Sequence, residues 1–219
     1  MIENAMVVLS GGFDSTALLH WALEKYADVA AVSFDYGQPH REAELAAAER
    51  VARKRLRADV WERVRLTELG PLDPEPGTLA PGVARAVVPG RNLVLLSYAA
   101  NRAARRWFGQ DAIILYGANK DDGEGFADCR PAFVERASAV IAAAYDGLAQ
   151  FGVSAPWVEL GWSKVDILRW VRTRPEALLD VRTSVSCYRG VRCGACDSCA
   201  RRTKAFSVLE LEDDALSSH

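Results

Sequence analysis

Leu9-Ser10-Gly11-Gly12-Phe13-Asp14-Ser15-Thr16 (LSGGFDST) follows the apolar run Ala5-Met6-Val7-Val8 and leads into a segment with helical spacing. The pattern predicts a β-strand, a glycine-rich turn and a helix. Backbone N–H groups and the hydroxyls of Ser10, Ser15 and Thr16 then gather at the positive end of that helix. Gly11 and Gly12 permit positive φ and let an anion approach the backbone closely. Asp14 is placed to cap the helix or to help hold a Mg²⁺ ion. The turn matches neither G-x-x-x-x-G-K-[ST] nor G-x-G-x-x-G. Without the lysine of the first, γ-phosphoryl transfer lacks its usual clamp. Taken alone, the turn reads equally as a phosphate seat or as a connection that serves geometry only.

Outward from this turn, apolar β-branched runs alternate with helix-periodic segments, as in a parallel sheet covered on both faces. Strands are predicted at Met6–Ser10, Ala30–Asp35, Val60–Val64 and Ala112–Tyr116. Leu45, Ala48, Ala52 and Leu56 share one helical face, with acidic residues at its start and basic residues at its end, matching the helix dipole. Helices are also expected over Leu93–Trp107 and Pro131–Leu148, the latter with a buried stripe of Val134, Ala137, Ile141, Ala144 and Leu148. Ser163-x-x-Asp166 reads as a capping box. Five of the nine prolines fall between Thr67 and Arg91, where a long irregular loop is expected, either a lid or an insertion without a role. The acidic tail from Glu210 is expected to fray.

The 219 residues, half of them apolar, are enough for one large α/β domain, 1–180, and a small C-terminal subdomain, 181–219. A net charge of −2 gives no global field for nucleic acid or anionic membrane. No long apolar run or secretory leader is visible, so a cytoplasmic location without membrane contact is expected. Four of the five cysteines lie in the thirteen residues from Cys187 to Cys199. In such a setting Cys187-x5-Cys193-x2-Cys196-x2-Cys199 points to a closed, structural Zn²⁺ site rather than to disulfides. A nucleic-acid-binding zinc ribbon and a redox C-x-x-C are the alternatives, the first lacking aromatic platforms. Arg182, Arg189, Arg192, Arg201, Arg202 and Lys204 surround the cysteines and are expected to offset the thiolate charge.

Ser10-Gly11-Gly12-Phe13-Asp14-Ser15 resembles the S-G-G-x-D-S loop of the N-type ATP pyrophosphatases. Four further segments resemble one branch of them, the 7-cyano-7-deazaguanine synthase (QueC) family. These are Phe34-Asp35-Tyr36-Gly37-Gln38, Val88-Pro89-Gly90-Arg91-Asn92, Gly125-Phe126-Ala127-Asp128-Cys129-Arg130, and the cysteine segment beginning Ser186-Cys187-Tyr188-Arg189-Gly190. The order and spread of these motifs over nearly the whole chain make the resemblance specific.

The resemblance implies a Rossmann-like parallel sheet of the adenine nucleotide alpha hydrolase type. It implies ATP, Mg²⁺ and structural Zn²⁺ as cofactors, and a homodimer. The implied reaction turns 7-carboxy-7-deazaguanine and ammonia into 7-cyano-7-deazaguanine through adenylated intermediates, with pyrophosphate held by the loop as it leaves. Ser10, Asp14, Ser15, Arg91 and Asn92 are the implied catalytic set. ATP is assigned to Leu9, Ser10, Gly11, Gly12, Phe13, Asp14, Ser15, Thr16, Ala17, Leu18, Leu19 and Asp35. The deazapurine is assigned to Tyr36, Gln38, Arg91, Asp122, Phe126, Asp128 and Arg130, and the metal to Cys187, Cys193, Cys196 and Cys199. The chain departs from the family pattern in a shorter first gap between cysteines, a more charged Asn119–Glu124 stretch and Ala127 in place of proline. A QueC-like enzyme of antiphage operons, coupling a deazapurine to a protein or other amine, and a non-catalytic ATP-binding module remain alternatives.

Overall fold

The computed structural model describes residues 2–66, 69, 88 and 90–214. The expected lid between Thr67 and Arg91 lies almost wholly outside the described residues. In chain order the elements are β1 (Asn4–Val8), α1 (Phe13–Lys25), β2 (Asp28–Asp35), α2 (Arg41–Arg55), β3 (Trp61–Arg65), α3 (Arg91–Arg106), β4 (Ala112–Leu115), α4 (Pro131–Ala144), β5 (Phe151–Ser154), α5 (Pro156–Glu159), α6 (Lys164–Val171), α7 (Pro175–Arg182) and α8 (Asp197–Val208). Two 3₁₀ turns, Asp122–Glu124 and Ala127–Cys129, precede α4.

All strand pairs are parallel, in the order β3-β2-β1-β4-β5. The chain winds from β1 outward to β3, then returns to the other side of β1 for β4. That reversal leaves a crevice beyond the carboxyl ends of β1 and β4, where open α/β sheets bind ligands. One face of the sheet buries Met6, Val32 and Ile114 under α3 and α4. The other buries Val7, Ala31 and Leu115 under α1, α2, α6 and α7, with Ala205 and Phe206 of α8 in the same cluster.

The expected α/β architecture is present, with local corrections. The helix begun at Pro131 stops at Ala144, because the Tyr145 N–H is shared among carbonyls of the last turn and Gly147 turns the chain at φ 79°. Ala144 and Leu148 are therefore exposed rather than part of the buried stripe, which ends at Ile141. β5 was not expected: it is four residues long and carries Gly152, too little pattern to register as a strand. The tail is not frayed through residue 213, since the buried Asp213 carboxylate binds Arg202 and Arg192 at 2.8 Å. Among the described residues, no helix is long and apolar enough to cross a membrane.

Candidate functional site

A cavity of about 700 Å³ opens at the crevice, walled by Leu9 and Ser10 after β1, Phe34 and Tyr36 around the end of β2, and Tyr116 and Gly117 after β4. Gly12, Asp14, Ser15, Gln38, Arg91, Asn92, Asp122 and Phe126 also face it, so most of the expected catalytic and substrate residues share one space. Seven of the residues assigned to ATP do not line it. Ala17, Leu18 and Leu19 point into the core, and Thr16 is buried in the first turn of α1. Gly11 packs against α2. Phe13 is fully buried, edge-on to Phe206 at 6.1 Å, and thereby ties the turn to α8. Asp35 is already committed: Arg63 at 2.8 Å and the Gly37 N–H at 3.2 Å hold its carboxyl below the usual range.

The turn itself is prepared for an anion. Gly12 stands at the N-cap of α1 and has no side chain to cap it; the Phe13 N–H donates to Ser186 Oγ at 3.4 Å, and the first turn lies at the positive end of the helix dipole. Ser10 Oγ and Ser15 Oγ are 2.9 Å apart, and Ser10 Oγ accepts from Gly12 N–H at 3.3 Å. Gly11 has φ +82°, and a Cβ there would collide with the Glu44 carbonyl and stand 2.6 Å from Ala48 N. Gly11→Ala is expected to cost about 3 kcal/mol through left-handed strain and this collision. A thermal melt reads it, and an unchanged midpoint would contradict the packing described.

The lysine absent from the turn arrives from α6. Lys164 is buried, lines the cavity, and pairs its Nζ with Asp14 Oδ2, 4.6 Å above the Phe13 ring. The Ser163–Asp166 capping box sets the helix start that aims it, and Asp121 Oδ2 accepts the Lys164 N–H at 3.0 Å. Asp14 is held further by Asn119 Nδ2 at 3.2 Å, and its carbonyl accepts from the Trp157 indole N–H at 3.2 Å.

Across the cavity, Arg91 opens α3 and donates to Tyr36 Oη at 3.2 Å and to Asn92 Oδ1 at 3.3 Å. Among the described residues no carboxylate lies within 4 Å of its guanidinium, and the Asp128 charge acts on it from further off. Gln38 spans the β2 turn, accepting from Tyr36 N–H at 3.0 Å and donating to the Phe34 carbonyl at 3.1 Å. Asp128 and Arg130 do not face the cavity; Arg130 donates to the Gly123 carbonyl at 2.9 Å and clips the 3₁₀ turn.

Asp122 accepts from Asn119 Nδ2 at 2.7 Å and from Arg201 Nη1 at 2.9 Å. Burial, and next the Asp14 carboxylate, push its carboxyl up to about 6, against the pull of Lys164 and Arg201. The folded protein thus keeps this proton where the unfolded chain has lost it. Its contribution to stability is present below about pH 4 and is lost as pH rises through the folded value. Asp122→Asn is expected to flatten that decline, read as urea midpoints across this range; parallel pH profiles in the two proteins would contradict it.

The four cysteine Sγ atoms lie within 4.8 Å of one another, with Cys187 and Cys199 buried. A tetrahedral Zn²⁺ with Zn–S of about 2.3 Å sets S–S separations near 3.8 Å, so the donor set suits a metal such as zinc. Backbone N–H groups of Ala195 and Cys196 bring the Cys193 thiol down to about 6, toward the thiolate a metal requires. The surrounding basic residues mostly serve other partners: Arg182 pairs with Asp214 at 2.7 Å, Arg192 and Arg202 with Asp213, and Arg201 with Asp122. Arg202 is buried and also donates to the carbonyls of Val181, Arg182 and Ser184, knotting the segment around α8. Charge compensation of the thiolates therefore explains little of the local basicity.

The family model described as queuosine biosynthesis protein QueC matches residues 4–210. The chain belongs to the QueC family. It is similar to the 7-cyano-7-deazaguanine synthase of Clostridium botulinum (strain 657 / Type Ba4), 32% identical over 223 residues that cover 96% of this chain and 97% of the relative. That of Laribacter hongkongensis (strain HLHK9) is 35% identical over 231 residues, 98% and 94% of the two chains. That of Acinetobacter baylyi (strain ATCC 33305 / BD413 / ADP1) is 37% identical over 230 residues, 97% and 94%. The chain is thus an enzyme of ligase type, built on the parallel sheet seen here.

In this QueC-family enzyme the residues missed from sequence are those that reach the cavity from distant elements. Lys164 comes from α6, Ser186 and Tyr188 from the cysteine segment, and Arg201 from α8. Only the capping box signalled any of them, and it marks a helix start rather than the direction in which the first lysine points.

Proposed function

We propose that the chain converts 7-carboxy-7-deazaguanine and ammonia to 7-cyano-7-deazaguanine at the expense of ATP. The observation that carries this reading is the meeting of the Ser10–Ser15 turn, Lys164 and Arg91 in one cavity at the sheet's switch point, in a chain whose relatives bear that synthase name.

The triphosphate sits on the turn, where the first-turn amides of α1 and the Ser10 and Ser15 hydroxyls donate to the β and γ oxygens. Lys164 supplies the cation that the turn lacks, exchanging part of its pairing with Asp14 for the leaving pyrophosphate. Magnesium arriving with the nucleotide would neutralise part of its charge, and Asp14 is the carboxylate carried by the turn itself. Arg91, with no carboxylate in ion-pair contact among the described residues, receives that of the deazapurine, for which a guanidinium fork is suited. Asn92, Tyr36, Gln38 and Phe126 complete the wall against the base, with Asp128 and Arg130 behind it.

A carboxylate oxygen attacks the α-phosphorus, and the bond from that phosphorus to pyrophosphate breaks. Ammonia nitrogen then adds to the acyl carbon; AMP leaves with the acid oxygen, a proton is lost, and an amide remains. In a second round the amide oxygen attacks the α-phosphorus of another ATP. The nitrogen gives up its protons as AMP departs, leaving the nitrile. Holding the reactants in line and stabilising the charge of the leaving group supply the acceleration.

In this reading residues 181–219 form the subdomain that the four cysteines close around Zn²⁺, and it buttresses the 1–180 domain that carries the chemistry. The Val185 N–H donates to the Gly11 carbonyl at 3.0 Å and the Phe13 N–H to Ser186 Oγ at 3.4 Å. The test incubates the protein with ATP, Mg²⁺, 7-carboxy-7-deazaguanine and ammonium, and measures pyrophosphate and nitrile. Both products support the synthase. Pyrophosphate without nitrile transfers the reading to another amine acceptor, and neither product overturns both.

A further inference from the structure

We propose that Arg201 is a positioning residue that keeps Lys164 available for the triphosphate by taking up Asp122, the cavity carboxylate that Asn119 links to Asp14. The inference rests on the ATP-binding part of the function above and extends it to a residue outside the turn.

Asp14 and Asp122 both lie within the electrostatic reach of one amine, Lys164 Nζ. Asp14, from the first turn of α1, pairs directly with Lys164 Nζ. Asp122, from the 3₁₀ turn after β4, is held beside Asp14 because one Asn119 Nδ2 donates both to Asp122 Oδ2 at 2.7 Å and to Asp14 Oδ1 at 3.2 Å. The Asn119 Oδ1 meanwhile accepts from the backbone N–H groups of Asp121 and Asp122 at 2.9 and 3.2 Å, so this arrangement is fixed from both ends of the amide. Two carboxylates sharing a lysine would neutralise it and leave a net negative site where a tetra-anionic nucleotide must bind.

Arg201 removes one of them from that competition. Its guanidinium meets Asp122 Oδ1 at 2.9 Å, in a pair with about a quarter to a third of each side chain exposed (30% and 26%), and it also lines the cavity. Its placement is rigid for a long side chain. It stands two residues beyond Cys199 in α8, the helix whose N-cap is Cys196. It is followed by Arg202, which is buried and bound to Asp213 and to three carbonyls. The cysteine cluster and Arg202 therefore bracket Arg201 and fix where its charge lies. Without it, Lys164 would be drawn between Asp14 and Asp122, and binding would weaken for the phosphates but not for the nucleoside.

The test is Arg201→Leu, compared with the parent and with Arg201→Lys, in metal-loaded full-length protein. Dissociation constants are measured for ATP with Mg²⁺ and for adenosine, along with metal content per chain. The expected result is an ATP constant raised about tenfold in Arg201→Leu, of the order measured for closely coupled charges, with adenosine within twofold, metal retained, and ATP affinity largely restored by Arg201→Lys. An unchanged ATP constant overturns the inference. Equal weakening toward ATP and adenosine, or loss of metal with the arginine, also overturns it, because Arg201 would then act by holding the fold. Nucleotide affinity is read here without the deazapurine, so a parent that binds ATP but makes no nitrile counts against the synthase reading alone.

Discussion

Lys164→Ala is expected to lower kcat by about 10²–10³, the loss typical when one group that stabilises developing charge is removed. The turn proposed to seat the pyrophosphate contains no cation of its own, and Lys164, buried at the start of α6, pairs with the aspartate of that turn. Among the described residues the same substitution leaves Asn119 as the side-chain partner of Asp14, so a stability cost of about 1–3 kcal/mol accompanies it. The two effects separate in the double variant Asp14→Asn with Lys164→Met, which removes both charges together. Its thermal midpoint is expected to recover most of the loss while kcat stays low. Recovery of both would show that Lys164 serves only to hold Asp14.

Loss of the metal is the second large effect. Cys199→Ala removes a buried donor from the four-sulfur cluster. A structural metal contributes folding energy directly. A metal on these sulfurs would hold the start of α8, whose Phe206 packs on Phe13 and whose Arg202 binds the 181–186 segment that touches the turn. A cost of about 3–5 kcal/mol corresponds to a fall of roughly 10 °C in Tm for a chain of this size. Elemental analysis and a thermal melt check it. One metal per parent chain, its loss in the variant and the lowered midpoint are expected together. A midpoint within about two degrees of the parent would mean that packing alone holds the segment.

How much could be read in advance follows from how compactly each feature is written. The phosphate turn and the cysteine cluster are contiguous, and their chemistry is fixed by residue type and short spacing, so both are legible before any folding is known. The sheet is legible through its apolar runs at β1, β2 and β4, with Val60, Trp61 and Val64 marking β3, whereas β5 is short, contains glycine, and takes its identity from pairing with β4. Helical periodicity located α4 but not its end, because Leu148 continues the spacing past the point where Tyr145 and Gly147 turn the chain. Phe13 belongs to the turn that the resemblance assigns to ATP, yet its ring faces the core; direction within a turn is set by tertiary packing. Lys164 and Arg201 were missed for a related reason. Each looks like an ordinary basic helix residue, and the cavity they complete exists only once α6 and α8 dock beside β1 and β4.

In the proposed mechanism the acid and then the amide are activated by AMP transfer, with pyrophosphate leaving from the turn. It is tested most directly with 7-carboxy-7-deazaguanine labelled with ¹⁸O in both carboxylate oxygens, by mass spectrometry of the nucleotide products. The mechanism predicts that both labels are recovered in AMP, one in each of two molecules, and none in pyrophosphate. Label released to water or orthophosphate, with ADP as the nucleotide product, would contradict it.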